Sequence, residues 1–220
     1  MERAPFEIDE WYHCFTRGID KRRTYMTRID YERFLGLLYV CNSSETIHRS
    51  DLFRRSLDEI FTMKRKGVLV GIGAFCLMPN HFHLLLKEIR HGGISLFMRK
   101  LGTAYAMYFN IKYERTGNLF VKPFRSRHIK DDEYLQCVIQ YIHCNPAEIF
   151  EPMWKKGGVQ KLKELERKLL EYPYSSFCAH EQHIHPLRNL LDDSIFEIET
   201  QLPPQRMLRE ARDYYSEIAM

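Results

Sequence analysis

Two histidines one residue apart, His81 and His83, stand in the run LMPNHFHLLLK from Leu77 to Lys87. A tyrosine and an asparagine four residues apart, Tyr141 and Asn145, stand in QYIHCNP from Gln140. Imidazole nitrogens held at fixed separation on a rigid strand suit a metal or phosphate site. The same pair also suits the polar face of a half-solvated sheet, so the histidines alone leave both readings open. Residues four apart on a helix share a face, which would set the Tyr141 phenol beside the Asn145 carboxamide.

The elements that must position these groups are legible from periodicity. Alternation along the histidine strand puts His81, His83 and Leu85 on one face and Phe82, Leu84 and Leu86 on the other. A preceding strand, Val68–Leu77, joins it through the Pro79-Asn80 turn as an antiparallel hairpin, with Gly71 and Gly73 permitting close backbone approach. Asp131 and Asp132 open the helix that carries Tyr141, and Pro146 ends it near Asn145. Earlier, WYHCFTR (Trp11–Arg17) reads as a first strand ending at Gly18, and Tyr31–Val40 as a helix capped by Asp30. Asn42–Lys66 reads as a loop plus a short helix around Asp51–Met63, Ile94–Tyr113 as a long amphipathic helix, and Arg125–Ile129 as a short strand. Lys155–Glu171 reads as a surface helix, followed by YPYSSF and a polar tail. Strand, helix, hairpin, helix, strand, helix is the order of an α+β domain with helices packed on one face of an antiparallel sheet.

The 220 residues suffice for one sizeable core with a smaller appendage. Six cysteines without a CxxC pair exclude a zinc ribbon or thioredoxin motif and suit a reducing compartment. No membrane-length apolar run and no secretory leader are evident, so the expected location is the cytoplasm with no membrane partner. Charge is uneven. Arg99–Lys130 holds eight basic residues against Glu114, a net +7, whereas Glu181–Met220 nets −4. The basic middle points to a polyanion such as nucleic acid, with Lys122, Arg125 and Arg127 as backbone contacts. The acidic tail is a candidate cover for that basic face. Phe120 and Phe124 are open to base stacking or to the core.

Taken together, LMPNHFHLLLK, YERTGNLF from Tyr113, PFRSRHI from Pro123, QYIHCNP, the opening YHCFTRGIDKRRTY from Tyr12 and YPYSSF from Tyr172 resemble the single-tyrosine HUH (IS200-like) transposases, specifically the REP-associated tyrosine transposases. The resemblance covers roughly Tyr12 to Phe177. It implies a ferredoxin-like sheet whose His81 and His83 hold a divalent metal, Mg2+ or Mn2+, and a nucleophile at Tyr141. Related enzymes place a glutamine four residues after the tyrosine as third ligand. Here that position is Asn145, one methylene shorter. It further implies a DNA transposase that nicks and rejoins single-stranded DNA bearing a hairpin or palindromic repeat through a 5′-phosphotyrosine, often as a homodimer. Arg17, Lys122, Arg125 and Arg127 are the expected DNA contacts, residues 1–150 the catalytic domain, and 151–220 a C-terminal helical extension with an acidic tail. His128 and His143 are secondary polar candidates. Two other readings remain: a domesticated, non-catalytic sequence-specific DNA-binding protein, and a zinc hydrolase using Cys76, His81, His83 and Cys144, whose spacing is unlike usual zinc patterns.

Overall fold

Alternating bulky residues make Trp11–Arg17 strand β1, with Trp11, His13, Phe15 and Arg17 on one side and Tyr12, Cys14 and Thr16 on the other. The computed structural model describes residues 5–46, 52, 55–156 and 158–219. Helix α1 (Arg28–Cys41) follows, then α2 (Leu57–Phe61), β2 (Val70–Met78), β3 (His81–Glu88), α3 (Gly93–Lys112), β4 (Arg125–His128) and α4 (Asp132–Cys144). The extension adds α5 (Ala147–Phe150), α6 (Leu162–Leu170), α7 (Phe177–Glu181), α8 (Ile195–Ile198) and α9 (Pro204–Ala219). The four strands pair antiparallel in the order β2-β3-β1-β4, a βαββαβ arrangement of ferredoxin-like type.

The sheet is the expected α+β platform, but helices cover both of its faces rather than one. Phe82, Leu84 and Leu86 join Tyr12, Cys14, Phe75 and Leu77 in a core with α1 and α3. Leu85, Trp11, Ala74 and Cys76 form a second core with Val138, Ile139 and Ile142 of α4 and Met207, Leu208 and Ala211 of α9. The histidine face looked half-polar in sequence because its cover comes from segments distant along the chain.

Local chemistry sets the element ends. Asp30 is not the cap of α1 but its third residue: Thr27 is the cap, and the Asp30 carboxylate reaches back to the Met26 and Thr27 amides. Ser56 and Glu59 form a second capping box on α2, so the helix expected around Asp51–Met63 starts only at Leu57 and ends at Phe61; positions 51, 53 and 54 lie outside the described residues. Asp131 caps α4, its carboxylate accepting the Tyr134 amide at 2.8 Å. The register of β2 against β3 shifts between Ile72 and Ala74, a bulge at Gly73. A Cβ there would meet the Trp11 ring at 2.7 Å, so only glycine fits.

The Lys155–Glu171 surface helix is shorter than expected. A 3-10 turn spans Trp154–Lys156 around a fully buried Trp154, and α6 starts only at Leu162, burying Leu165 and Leu169. The Gly157-Gly158 pair in the sequence disfavours a continuous helix. YPYSSF lies along the free edge of β2: the Leu77 amide donates to the Tyr174 carbonyl and the Ser176 amide to the Phe75 carbonyl. That pairing covers an edge otherwise open to another chain.

Candidate active site

Strand β3 presents both histidines to the α4 side of the sheet, and each ring is anchored through Nδ1. His81 Nδ1 lies 2.7 Å from Asn80 Oδ1, an amide oxygen that can only accept, so His81 donates there and its Nε2 keeps a lone pair. His83 Nδ1 lies 2.8 Å from His13 Nε2, and His13 Nδ1 lies 2.7 Å from the Tyr214 hydroxyl. When His83 Nδ1–H donates to His13 and His13 Nδ1–H donates to Tyr214, the His83 Nε2 is likewise free to ligate. Burial, opposed by neighbouring Asn145, brings His81 down to about 4. Burial and the neighbouring His13 and His81 hold His83 well below its usual range. Burial, with the charge of Arg127, takes His13 to about 3. All three are neutral at neutral pH, the form a metal requires.

Helix α4 supplies the other half. The Tyr141 ring meets His83 edge-on at 5.2 Å and His13 at 5.8 Å between centroids. Burial raises the phenol pKa well above its usual value, and Asn145 pulls it the other way. Asn145 anchors its Nδ2 on the Tyr141 carbonyl at 2.8 Å, while its Oδ1 is buried without a hydrogen-bond partner. A buried amide oxygen left unpaired costs about 1–3 kcal/mol, so this atom suits an incoming cation. The donor set, two imidazole Nε2 atoms and one amide oxygen, fits a divalent ion. The cover over the phenol is Tyr214 and Tyr215 of α9, at 5.0 and 6.4 Å, and Tyr141 is only 3% exposed.

Basic residues share this face. Directly paired residues project to the same side of a sheet. Arg17 pairs with His81, Phe15 with both His83 and Arg125, and His13 with Arg127, so Arg17, Arg125 and Arg127 flank the histidines. Lys122 is not brought to this group; it lines a cavity of about 670 Å³ between α3 and residues 117–124. Phe120 belongs to the core, 5.4 Å from Phe82, and Phe124 stacks on Phe6 at 6.4 Å. His128 pairs with Glu10 at 2.9 Å, and His143 is buried against Ser176 and His180, away from Tyr141. No metal-capable group of His, Cys, Asp or Glu side chains among the described residues includes Cys76 or Cys144, and burial pushes the Cys76 thiol well above its usual range. The zinc-hydrolase set therefore does not assemble.

Two participants escaped the sequence reading. His13 is brought to His83 only by the β1–β3 pairing, although its place on the Trp11–Phe15 face was a legible signal. Lys155 pairs with Glu148 at 2.7 Å, and its charge bears on both His81 and His83. Nothing in the local pattern around Lys155 points there.

The family model described as "Transposase IS200 like" matches residues 35–145, a span that includes His81, His83, Tyr141 and Asn145. A solved structure described as the REP-associated tyrosine transposase bound to a REP hairpin superposes with a TM-score of 0.50 at 14% identity. The match covers 92% of this chain and 98% of that one, a likeness of fold. No curated protein matches the chain. No helix among the described residues is long and apolar enough to cross a membrane. With the family model spanning β2 through α4 and both halves of the site, the chain belongs to the IS200-like transposase family.

Proposed function

We propose that this transposase, of the REP-associated branch, cleaves and rejoins single-stranded DNA through a 5′-phosphotyrosine on Tyr141, with Mg2+ or Mn2+ held by His81, His83 and Asn145. One observation carries the reading: the Tyr141 ring, two neutral imidazoles each anchored through Nδ1 and the unpaired Asn145 Oδ1 gather on one face of the sheet. When bound, the cation supplies Lewis-acid neutralisation of charge at the phosphate. The Tyr141 oxygen attacks phosphorus, the phenol proton leaves, and the bond to the 3′ oxygen breaks, that oxygen taking up a proton. Rejoining reverses the sequence: a 3′-hydroxyl attacks the phosphotyrosine and restores the phenol. The phosphodiester energy is kept in the protein–DNA bond, so no nucleotide cofactor is needed.

Asn145 favours the phenolate, offsetting part of the penalty that burial imposes. Arg17, Arg125 and Arg127 hold the DNA backbone on the histidine face, and Lys122 extends the basic track on the α3 side. Residues 1–150 carry the chemistry, and 151–220 cover it. The substrate is a single strand with a hairpin or palindromic repeat.

The near-complete burial of Tyr141 beneath α9 favours a second reading, a DNA-binding protein that no longer cleaves. Incubation with hairpin-bearing single strands and Mn2+ or Mg2+ separates the two. The expected result is a denaturant-resistant protein–DNA adduct that Tyr141→Phe loses while retaining DNA binding. Wild-type protein that binds such strands and yields no adduct with either metal overturns the catalytic reading.

A further inference from the structure

On the side turned away from Tyr141, helix α4 contributes one member to a second group of ligand-type side chains. His143 lies at the end of α4, His180 in α7, and Glu199 just beyond α8. One ligand atom from each lies within 4.8 Å of those of the other two. His143 and His180 are buried and Glu199 is half-buried.

Hydrogen bonds fix the available nitrogen of His180 and bear on that of His143. The Ser176 hydroxyl accepts the Phe75 amide at 2.9 Å and donates to the Phe75 carbonyl at 3.2 Å. When that proton lies on the Phe75 carbonyl, the 3.0 Å contact with His143 Nε2 takes the imidazole N–H. His143 Nδ1 then carries a lone pair, and that atom is buried without any partner. His180 Nε2 lies 2.9 Å from the Gly73 carbonyl, which can only accept, so Nε2 is again the protonated nitrogen. Its Nδ1 faces the Glu199 carboxylate. Both rings are thus tethered through Nε2–H to backbone or hydroxyl oxygens, and Nδ1 is the nitrogen each leaves for a ligand. Metal-ligating histidines are held in this way, by an acceptor on the remote N–H.

We propose that His143 Nδ1, His180 Nδ1 and the Glu199 carboxylate form a structural divalent-metal site of the zinc class, distinct from the His81–His83 pair. Two imidazoles and one carboxylate suit Zn2+ better than Mg2+, which takes oxygen ligands. Binding takes both His180 Nδ1 and the Glu199 carboxylate as ligands and gives the unpaired His143 nitrogen its partner. A simple His180–Glu199 ion pair, by contrast, leaves that nitrogen unused. The ion would tie α7 and the end of α8 to the nucleophile helix two residues beyond Tyr141. Through Gly73, it would also be braced on the β2 bulge. The site does not depend on the catalytic reading of Tyr141.

The test uses the full-length chain carrying His81→Asn and His83→Asn, which removes the other histidine pair. After loading with Zn2+ and gel filtration, elemental analysis is expected to give one retained equivalent. Adding Glu199→Gln or His180→Gln should weaken zinc binding about tenfold or more. The Co2+-loaded parent should show visible d–d bands with no thiolate charge-transfer band, which excludes the six cysteines as ligands. No retained equivalent, an affinity unchanged by both substitutions, or a thiolate band overturns the site. Should a substituted protein fail to fold, the cobalt spectrum and stoichiometry of the parent decide the matter.

Discussion

Asn145 is the residue on which the proposed metal site turns. Its Nδ2 is already committed to the Tyr141 carbonyl, and its Oδ1 has no partner, so the side chain is oriented before any ion arrives. Asn145→Ala should therefore raise the Mn2+ concentration needed for half-maximal adduct formation by about tenfold or more, with adduct restored at saturating metal. A metal titration of wild type and variant checks this, and an unchanged midpoint would show that Asn145 is not a ligand. Acid acts through the histidines. His81 titrates at about 4 in the fold and near 6.5 unfolded, so the unfolded chain binds more protons between these values. Stability should fall as pH drops from about 6.5 towards 4, and thermal melts across that range will show it. At this scale the sequence was most informative for residues placed by local geometry. Alternation gave His81 and His83 their common face, and the four-residue spacing gave Tyr141 and Asn145 theirs. His13 and Lys155 reach the site through long-range pairing and a chain reversal, which no local period encodes.

At the level of elements, one buried carboxylate joins two helices. Asp30 of α1 receives the Lys112 ammonium of α3 at 2.6 Å together with the Tyr108 and Tyr113 hydroxyls. Burial alone would raise its pKa, but these hydrogen bonds outweigh burial and bring it down to about 2. A carboxylate held below its usual value of 3.8 stabilises the fold above that pH, and the contribution is lost as pH falls towards 2. Asp30→Asn should cost about 2–3 kcal/mol at neutral pH, because Lys112 loses its counter-charge while the amide still cannot bind all the donors. Chemical denaturation at pH 7 and pH 2.5 tests both parts: the gap between wild type and variant should narrow at the lower pH. Asp30 was legible as an acid near a helix start, but its tie to α3 was not, so it read as a cap. Helix and strand types followed from period and turn chemistry. The covering of the sheet is not legible in this way, because the residues that roof the histidine face lie after residue 131.

For the whole molecule, the histidine face is where positive and negative parts of the chain meet. The sequence showed a basic middle and an acidic tail, and the fold brings one end of that tail onto the basic row. Glu217 of α9 lies 3.4 Å from Arg127 and accepts the Tyr134 hydroxyl at 3.0 Å. Arg127 is opposite His13 in the sheet, so this contact sits at the border of the proposed active site. Were Arg127 to hold the DNA backbone as proposed, a phosphate approaching Tyr141 would compete with Glu217 for it. The pair is partly exposed, and such pairs contribute about 0.2–1 kcal/mol. Glu217→Gln should accordingly raise affinity for a single-stranded hairpin by about two- to fivefold at low salt, where screening is weakest. The gain should vanish as ionic strength rises. Arg127→Gln should weaken binding and reduce the magnitude of the slope of log affinity against log salt by about one. Fluorescence anisotropy over a salt series measures both variants on one substrate. Equal affinity of Glu217→Gln and wild type at low salt would mean that the tail and the DNA do not share Arg127. In that case the acidic end serves only to seat α9 on α4, and the charge asymmetry of the chain has no part in substrate binding.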